Sequence, residues 1–116
     1  MSSIDPSALE PYCEVMGLPA VVELLDVFLG TTQDLVDALY STVSCGDAQI
    51  FTRSAHTLKS NSAIFGAQAL SNMCLELEAA GKSANLPDLL PKIDQHKAEY
   101  EQVCRELAQL REQLAT

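Results

Sequence analysis

The segment from Ser54 to Leu70 contains one of only two histidines in the chain, together with a cation and several small side chains. Lys59 follows His56 by three residues, so the two side chains are neighbours on a helix surface. A neutral imidazole is a competent nucleophile near pH 7, and an adjacent cation favours an anionic group beside it. Together with the small side chains, this pairing predicts an imidazole that accepts a dianionic group from another molecule.

Acidic residues are absent around this histidine. The chain has 16 acidic and 7 basic residues and a net charge of −9, yet residues 48–75 contain no Asp or Glu, where an even distribution would place about four. Ser60, Asn61 and Ser62 each cost about 0.5 kcal/mol relative to alanine inside a helix, so helix propensity does not explain them. Small side chains without acids indicate a surface on which a partner closes over His56.

The second histidine has a different setting. His96 lies among Asp94, Lys97 and Glu99, with no small residues beside it. We therefore expect a solvated histidine at a helix edge, and not a second acceptor.

The composition excludes several classes of function. A net charge of −9 argues against a nucleic-acid partner, which needs a concentrated basic surface. No apolar run approaches the roughly 18 residues of a membrane span, and the first residues do not resemble a signal peptide. The four cysteines lie about 30 residues apart without a C-x-x-C pair, which favours free thiols half-buried in helices. We expect a cytoplasmic monomer with no membrane partner.

Apolar residues recur every three or four positions through most of the chain, which is the pattern of amphipathic helices. A first long helix is predicted from Leu18 to Gly46, and its Gly30-Thr31-Thr32 segment indicates a local bend or close packing. A short leading helix is predicted over residues 6–15, with Asp5 as its cap.

Three further helices are predicted. The helix that carries the first histidine is capped by Asp47 and ends at Gly66, and the next helix ends at Gly81. A separate turn at residues 86–90 precedes the last long helix, which starts at about Pro91 because proline cannot donate the helical hydrogen bond.

Four amphipathic helices with short connections must turn their apolar stripes toward a common axis. The sequence therefore predicts an all-α, antiparallel four-helix bundle with a short additional N-terminal helix. The length fits a single domain over residues 1–116.

The stretch AHTLKSNSAIFGAQAL resembles the signature of histidine-containing phosphotransfer domains, the HPt family of two-component phosphorelays. In that signature a leucine, a lysine, a small residue and a glycine follow the histidine by two, three, four and ten positions. Leu58, Lys59, Ser60 and Gly66 occupy those positions after His56. The family most often has glycine where this chain has Ser60, but serine is still small.

The resemblance implies a phosphoryl carrier and not an autonomous enzyme. His56 Nε2 would accept the phosphoryl group from a receiver-domain phosphoaspartate and pass it to another receiver aspartate. Lys59, assisted by Arg53, would stabilise the phosphate charge. The expected partners are receiver domains of response regulators or hybrid histidine kinases. No cofactor is expected on this chain, and ATP and Mg²⁺ would enter through those partners.

Two further roles follow from the same resemblance and from the small residues. Ser60 and Ala63, with Arg53, would form the face on which a receiver docks. Glu78, which follows the histidine by 22 positions, would accept a hydrogen bond from Nδ1 and leave Nε2 free. The alternative for Glu78 is a solvated charge beside Glu76.

Other functions remain open at the level of sequence. The main alternative is a helical adaptor of the same fold that is never phosphorylated. A metal or cofactor bundle needs paired inward Glu and His ligands, and no E-x-x-H motif occurs. The sequence leaves open whether the chain is free-standing or a piece of a hybrid kinase.

Overall fold

The computed structural model describes residues 3–83 and 85–115. Within these residues there is no strand, which confirms the all-α prediction. Two short 3-10 turns, at Pro6–Leu9 and Leu86–Leu89, accompany five helices. The helices are α1 (Glu10–Met16), α2 (Leu18–Cys45), α3 (Ala48–Ile64), α4 (Gln68–Gly81) and α5 (Leu90–Ala115).

The four long helices form a closed ring of contacts. Helix α2 packs against α3 and α5, and α4 packs against the same two helices. Only two or three residues connect α2 to α3 and α3 to α4, so these neighbours run antiparallel. The arrangement is the predicted four-helix bundle, with α1 against the start of α2.

The helix ends follow from local sequence chemistry. Gly46 adopts a left-handed conformation at φ 76°, which glycine tolerates, and its N–H donates to Thr42 O at 2.8 Å. Asp47 then caps α3 by accepting a hydrogen bond from the Ile50 N–H at 3.1 Å. At the same end of the bundle, α5 begins at Leu90, one residue before the predicted start.

The predicted N-terminal helix has two parts. Asp5 caps the 3-10 turn Pro6–Leu9 by accepting from the Ser7 N–H at 3.1 Å, and α1 continues from Glu10. Pro11 lies in the first turn of α1, where a missing N–H costs little. The leading helix therefore changes from a 3-10 turn to an α-helix at Glu10 and continues through Pro11.

One face of α3 and of its C-terminal cap lies in the core. Its members are each at most 2% exposed: Phe51, Ala55, Leu58, Ser62 and Phe65. Burying each large apolar side chain contributes about 1.5–3 kcal/mol relative to an exposed one. With this face fixed inward, the opposite face of α3 must point to solvent.

The structure shows close packing within the Gly30-Thr31-Thr32 segment of α2 and corrects part of the expectation for the cysteines. Close packing in α2 occurs at Thr32, which bonds Tyr100 Oη at 2.8 Å, whereas a Cβ at Gly30 would have no atom within 4 Å. All four cysteines are free, as predicted, but Cys45 is exposed and Cys74 is fully buried.

The expectation of a solvated His96 is wrong. His96 is 0% exposed, and its Nε2 lies 3.2 Å from Cys74 Sγ. The helical phase explains this burial, because Ile93 and Tyr100 lie three and four residues away on the same core-facing stripe. Burial lowers the pKa of His96 to about 4. The side chain is thus a neutral core residue.

Candidate functional site

The exposed face of α3 carries the predicted acceptor and docking residues in one row. Arg53, His56, Ser60 and Ala63 are all exposed. They are spaced by three and four residues, which places them along one side of the helix. The His56 side chain is 57% exposed, so another molecule can reach its ring.

Glu78 on α4 lies directly beside the ring of His56. Its Oε2 is 2.8 Å from His56 Nδ1. The carboxylate accepts, so Nδ1 carries the proton and the neutral ring keeps its lone pair on Nε2. The sequence left open a solvated Glu78, and the structure instead places this side chain at 13% exposure against the histidine.

Lys59 contacts the same carboxylate from the other side. Its Nζ donates to Glu78 Oε1 at 2.7 Å. The hydrogen bond from Lys59, with a smaller effect from His56, lowers the pKa of Glu78. The sequence suggested a lysine directed at an incoming phosphate, whereas in this structure Lys59 is paired with Glu78.

The packing of α3 on α4 sets the position of Glu78. Ser71 Oγ on α4 donates to Lys59 O on α3 at 3.2 Å. A Cβ at Gly81 would lie 2.7 Å from a ring carbon of Phe51, so glycine allows the close approach of the two helices there. The sequence analysis missed both contacts. Gly81 was recognised only as a helix end, and no spacing motif indicates Ser71.

The signature glycine has a structural reason at the end of α3. Gly66 has φ +68°, and a Cβ there would lie 2.7–2.9 Å from Cβ, O and N of Asp5. The N-terminal segment thus crosses the α3–α4 connection at a point where only glycine fits. This glycine holds the fold around the site and is not close to a reacting group.

An open groove of about 480 Å³ begins beside His56 and Glu78 and follows the seam between α3 and α4. Arg53 and Lys82 line it, and both are exposed. The sequence analysis gave Lys82 no role, because nothing in its local pattern places it near His56.

Neither a metal centre nor a membrane span is found in the part of the chain that the structure describes. Residues 3–83 and 85–115 contain no group of three or more His, Cys, Asp or Glu side chains arranged to hold a metal ion. Within the same residues, no helix has the length and apolar character needed to cross a bilayer.

Two relatives of known name are similar in sequence to most of the bundle. The phosphorelay protein LuxU of Vibrio cholerae is 28% identical over 91 residues, which are 78% of this chain and 80% of LuxU. The sensor protein TorS of Escherichia coli K12 is 32% identical over 85 residues, which are 73% of this chain. That match spans only 9% of TorS, so the similarity concerns one part of a much longer protein.

Solved structures share the fold. The histidine-containing phosphotransfer protein HptB of Pseudomonas aeruginosa PAO1 superposes with a TM-score of 0.87 at 29% identity over 96% of both chains. The HPT domain of a Shewanella sensor hybrid histidine kinase superposes with a TM-score of 0.82 over 98% of this chain and 97% of that chain. Its identity is 21%, so this second likeness shows the fold alone.

The family model described as the Hpt domain matches residues 23–115, which include all four long helices in whole or in most of their length. The exposed His56, the signature lysine and the signature glycine all lie within this match. The chain belongs to the Hpt domain family.

Proposed function

We propose that this protein is a phosphorelay intermediate. His56 Nε2 accepts a phosphoryl group from the phosphoaspartate of one receiver domain and later gives it to an aspartate of another. The observation that carries this proposal is the 2.8 Å contact of Glu78 Oε2 with Nδ1 of an exposed histidine. That contact leaves Nε2 as the accessible nucleophile.

The transfer step balances without another reactant. The Nε2 lone pair attacks phosphorus, the P–O bond to the receiver aspartate breaks, and the aspartate leaves as a carboxylate. The new P–N bond makes the ring cationic while Nδ1 keeps its proton. The ionised Glu78 lies against that proton and stabilises the charge that develops on the ring.

Lys59 has two parts in the proposal. In the resting state its ammonium holds Glu78 in place through the 2.7 Å hydrogen bond. Its side chain is 26% exposed, so its Nζ can also turn toward a phosphate on the neighbouring imidazole. Phosphoryl transfer depends mainly on positioning and charge stabilisation, which Lys59 supplies with Arg53.

The receiver partners supply the remaining chemistry. We assign ATP-dependent phosphorylation and Mg²⁺ binding to those partners, and no autokinase activity to this chain. Receiver domains of response regulators and hybrid kinases are the partner class. We further propose that the protein is a cytoplasmic monomer without a nucleic-acid or membrane partner.

The test is transfer from a panel of phosphorylated receiver domains. We expect label that is acid-labile and alkali-stable, as a phosphoramidate requires. His56→Gln should abolish labelling and keep the unfolding temperature of the wild type, because the replaced side chain is exposed. Full labelling of a folded His56→Gln variant would refute the acceptor assignment. No labelling of the wild type by any receiver would favour the non-phosphorylated adaptor.

A further inference from the structure

The groove beside His56 contains a cation, Lys82, to which the transfer chemistry assigns no part. We propose that it binds an acidic side chain of the docking receiver, so that Arg53 and Lys82 determine which receivers the protein accepts. This inference rests on the proposed function, because its occupant belongs to the molecule that delivers the phosphoryl group to His56.

The groove lies where a docked receiver must be. His56 lines it, and so do Ala48, Gln49, Thr52 and Arg53, which lie toward the start of α3. Eight residues separate Ala48 from His56, so the groove follows α3 for about 12 Å at 1.5 Å per residue. A domain that covers the imidazole from this side therefore also covers the groove.

The free charge in the groove is positive. Among the described residues that line it, Glu78 is the one carboxylate, and both of its oxygens are bonded by His56 and Lys59. Arg53 and Lys82 are exposed, and neither forms an ion pair within residues 3–83 and 85–115. Two unpaired cations at a concave site favour a carboxylate from a partner.

The shape leaves space for that carboxylate. Ala48 on α3 and Gly81 on α4 contribute almost no side chain to the walls, and α4 ends at Gly81. Gln49 and Thr52 add neutral groups that can hydrogen-bond a carboxylate. A volume of about 480 Å³ is enough for a side chain with part of its backbone.

The negative charge of the rest of the molecule limits the attraction of an acidic partner to the groove. The chain has a net charge of −9, so its overall field repels an acidic partner. Attraction confined to Arg53 and Lys82 orients such a partner with its acidic side chain in the groove and its phosphoaspartate over the imidazole. Toward the other end of α3, Ser60 and Ala63 are neutral and small, so that half distinguishes partners by shape.

The first test compares two charge reversals of equal size. Lys82→Glu changes the groove and leaves Arg53, which the transfer chemistry uses, in place, and Lys92→Glu makes the same change of net charge on α5. Helix α5 packs on α2 and α4, which makes Lys92→Glu a matched control. We expect the groove variant to raise the receiver concentration for half-maximal transfer about tenfold at low salt, with a smaller effect at high salt, while the control changes it less than twofold.

A rescue identifies the occupant. Single Lys82→Glu is combined with receiver variants in which each surface Asp or Glu is replaced by Lys in turn. One receiver position should restore the half-maximal concentration, because a reversed ion pair regains the attraction. Circular dichroism and thermal unfolding establish that each variant is folded before transfer is measured.

The outcomes separate this inference from the proposed function. If a receiver phosphorylates the wild type and both charge-reversed variants equally well, the groove does not select partners and only this inference is overturned. Rescue by no receiver position would likewise overturn the acidic occupant. If no receiver phosphorylates the wild type, the proposed function fails and the groove has no receiver to bind.

Discussion

At the scale of single residues, one carboxylate organises the site. Glu78 accepts from His56 Nδ1 with one oxygen and from Lys59 Nζ with the other. The lysine lowers the pKa of the carboxyl group, and the ionised carboxylate selects the histidine tautomer with a free Nε2. The three side chains therefore act as one unit, and a change in any of them alters the nucleophile.

Replacing Glu78 separates its charge from its hydrogen bond. We expect Glu78→Ala to slow transfer about tenfold or more, because a charge-assisted hydrogen bond contributes about 1.5–3 kcal/mol. Glu78→Gln keeps an acceptor for Nδ1 and should retain more activity. Quenched time courses of phosphoryl transfer from one receiver give the rates of Glu78→Ala and Glu78→Gln. Equal rates in wild type and Glu78→Ala would show that the carboxylate does not assist His56.

Removing the lysine should change the titration of its partner. The Lys59 hydrogen bond is the main cause of the lowered pKa of Glu78, so Lys59→Ala should raise that pKa toward its ordinary value. We also expect slower transfer and a loss of stability within about 1 kcal/mol, since the pair is only partly buried. Carbon NMR of the Glu78 carboxyl follows the pKa directly. An unchanged pKa together with unchanged transfer would leave Lys59 without a mechanistic role.

At the scale of elements, α3 presents its reactive side because its other side is fixed in the core. Phe51 and Leu58 are fully buried, and Arg53, His56 and Ser60 then face solvent by helical geometry. Helix α4 supplies Glu78 only because it packs closely on α3. The pair α3–α4 is thus the smallest unit that holds the site.

A bulky residue on the α3 face should block docking without disturbing the imidazole. Ser60→Tyr places a ring one turn from His56, and we expect transfer from a receiver to be lost. Ser60→Gly is the size control, with transfer retained and a stability loss of up to about 1 kcal/mol. A small phosphoramidate donor bypasses docking and should still modify His56 in the tyrosine variant. Normal receiver transfer by Ser60→Tyr would place the docking face elsewhere.

At the scale of the whole molecule, the core contains a titratable group that the sequence did not reveal. His96 packs on Tyr100 with 6.4 Å between ring centroids, and its Nδ1 has no hydrogen-bond partner among the described residues. A proton on this ring would place an uncompensated charge inside the bundle. The stability of the fold therefore depends on His96 remaining neutral.

Acid should weaken the bundle through His96. Its pKa is lowered from 6.5 to about 4, so below pH 6.5 the unfolded chain binds a proton that the folded chain excludes. The free energy of unfolding therefore has its full value above about pH 6.5. It decreases between pH 6.5 and pH 4 by an amount on the order of 3 kcal/mol. Urea unfolding of wild type and His96→Leu at pH 7, 6 and 5 measures this. If the free energy of unfolding decreases equally with falling pH in wild type and His96→Leu, His96 does not cause the loss of stability in acid.

The sequence predicted what depends on local patterns. The caps at Asp5 and Asp47 and the end of α2 at Gly46 follow from residue types that act on their own backbone. The exposed row on α3 follows from periodicity. His96 was misjudged because charged residues adjoin it in sequence, whereas its direction is set by helical phase with Ile93.

The partners of Glu78 could not be derived from local patterns. Its contact with His56 depends on the register of α3 against α4, which Ser71 and Gly81 help to set. Such contacts join residues distant in sequence, and only the family resemblance, through the 22-position spacing, indicated the contact of Glu78 with His56. The same limit applies to Lys82, which reaches the groove only after the helices have packed.

The position of the phosphoryl group on the imidazole is the most direct test of the central claim. Protein with ¹⁵N-labelled histidine is phosphorylated by a receiver, and long-range ¹H–¹⁵N and ³¹P NMR spectra are recorded at neutral pH. We expect phosphorus on Nε2 of His56, with the proton on Nδ1 held by Glu78. Phosphorus on Nδ1, or a phosphorylated protein in which His56 is unmodified, would contradict the claim.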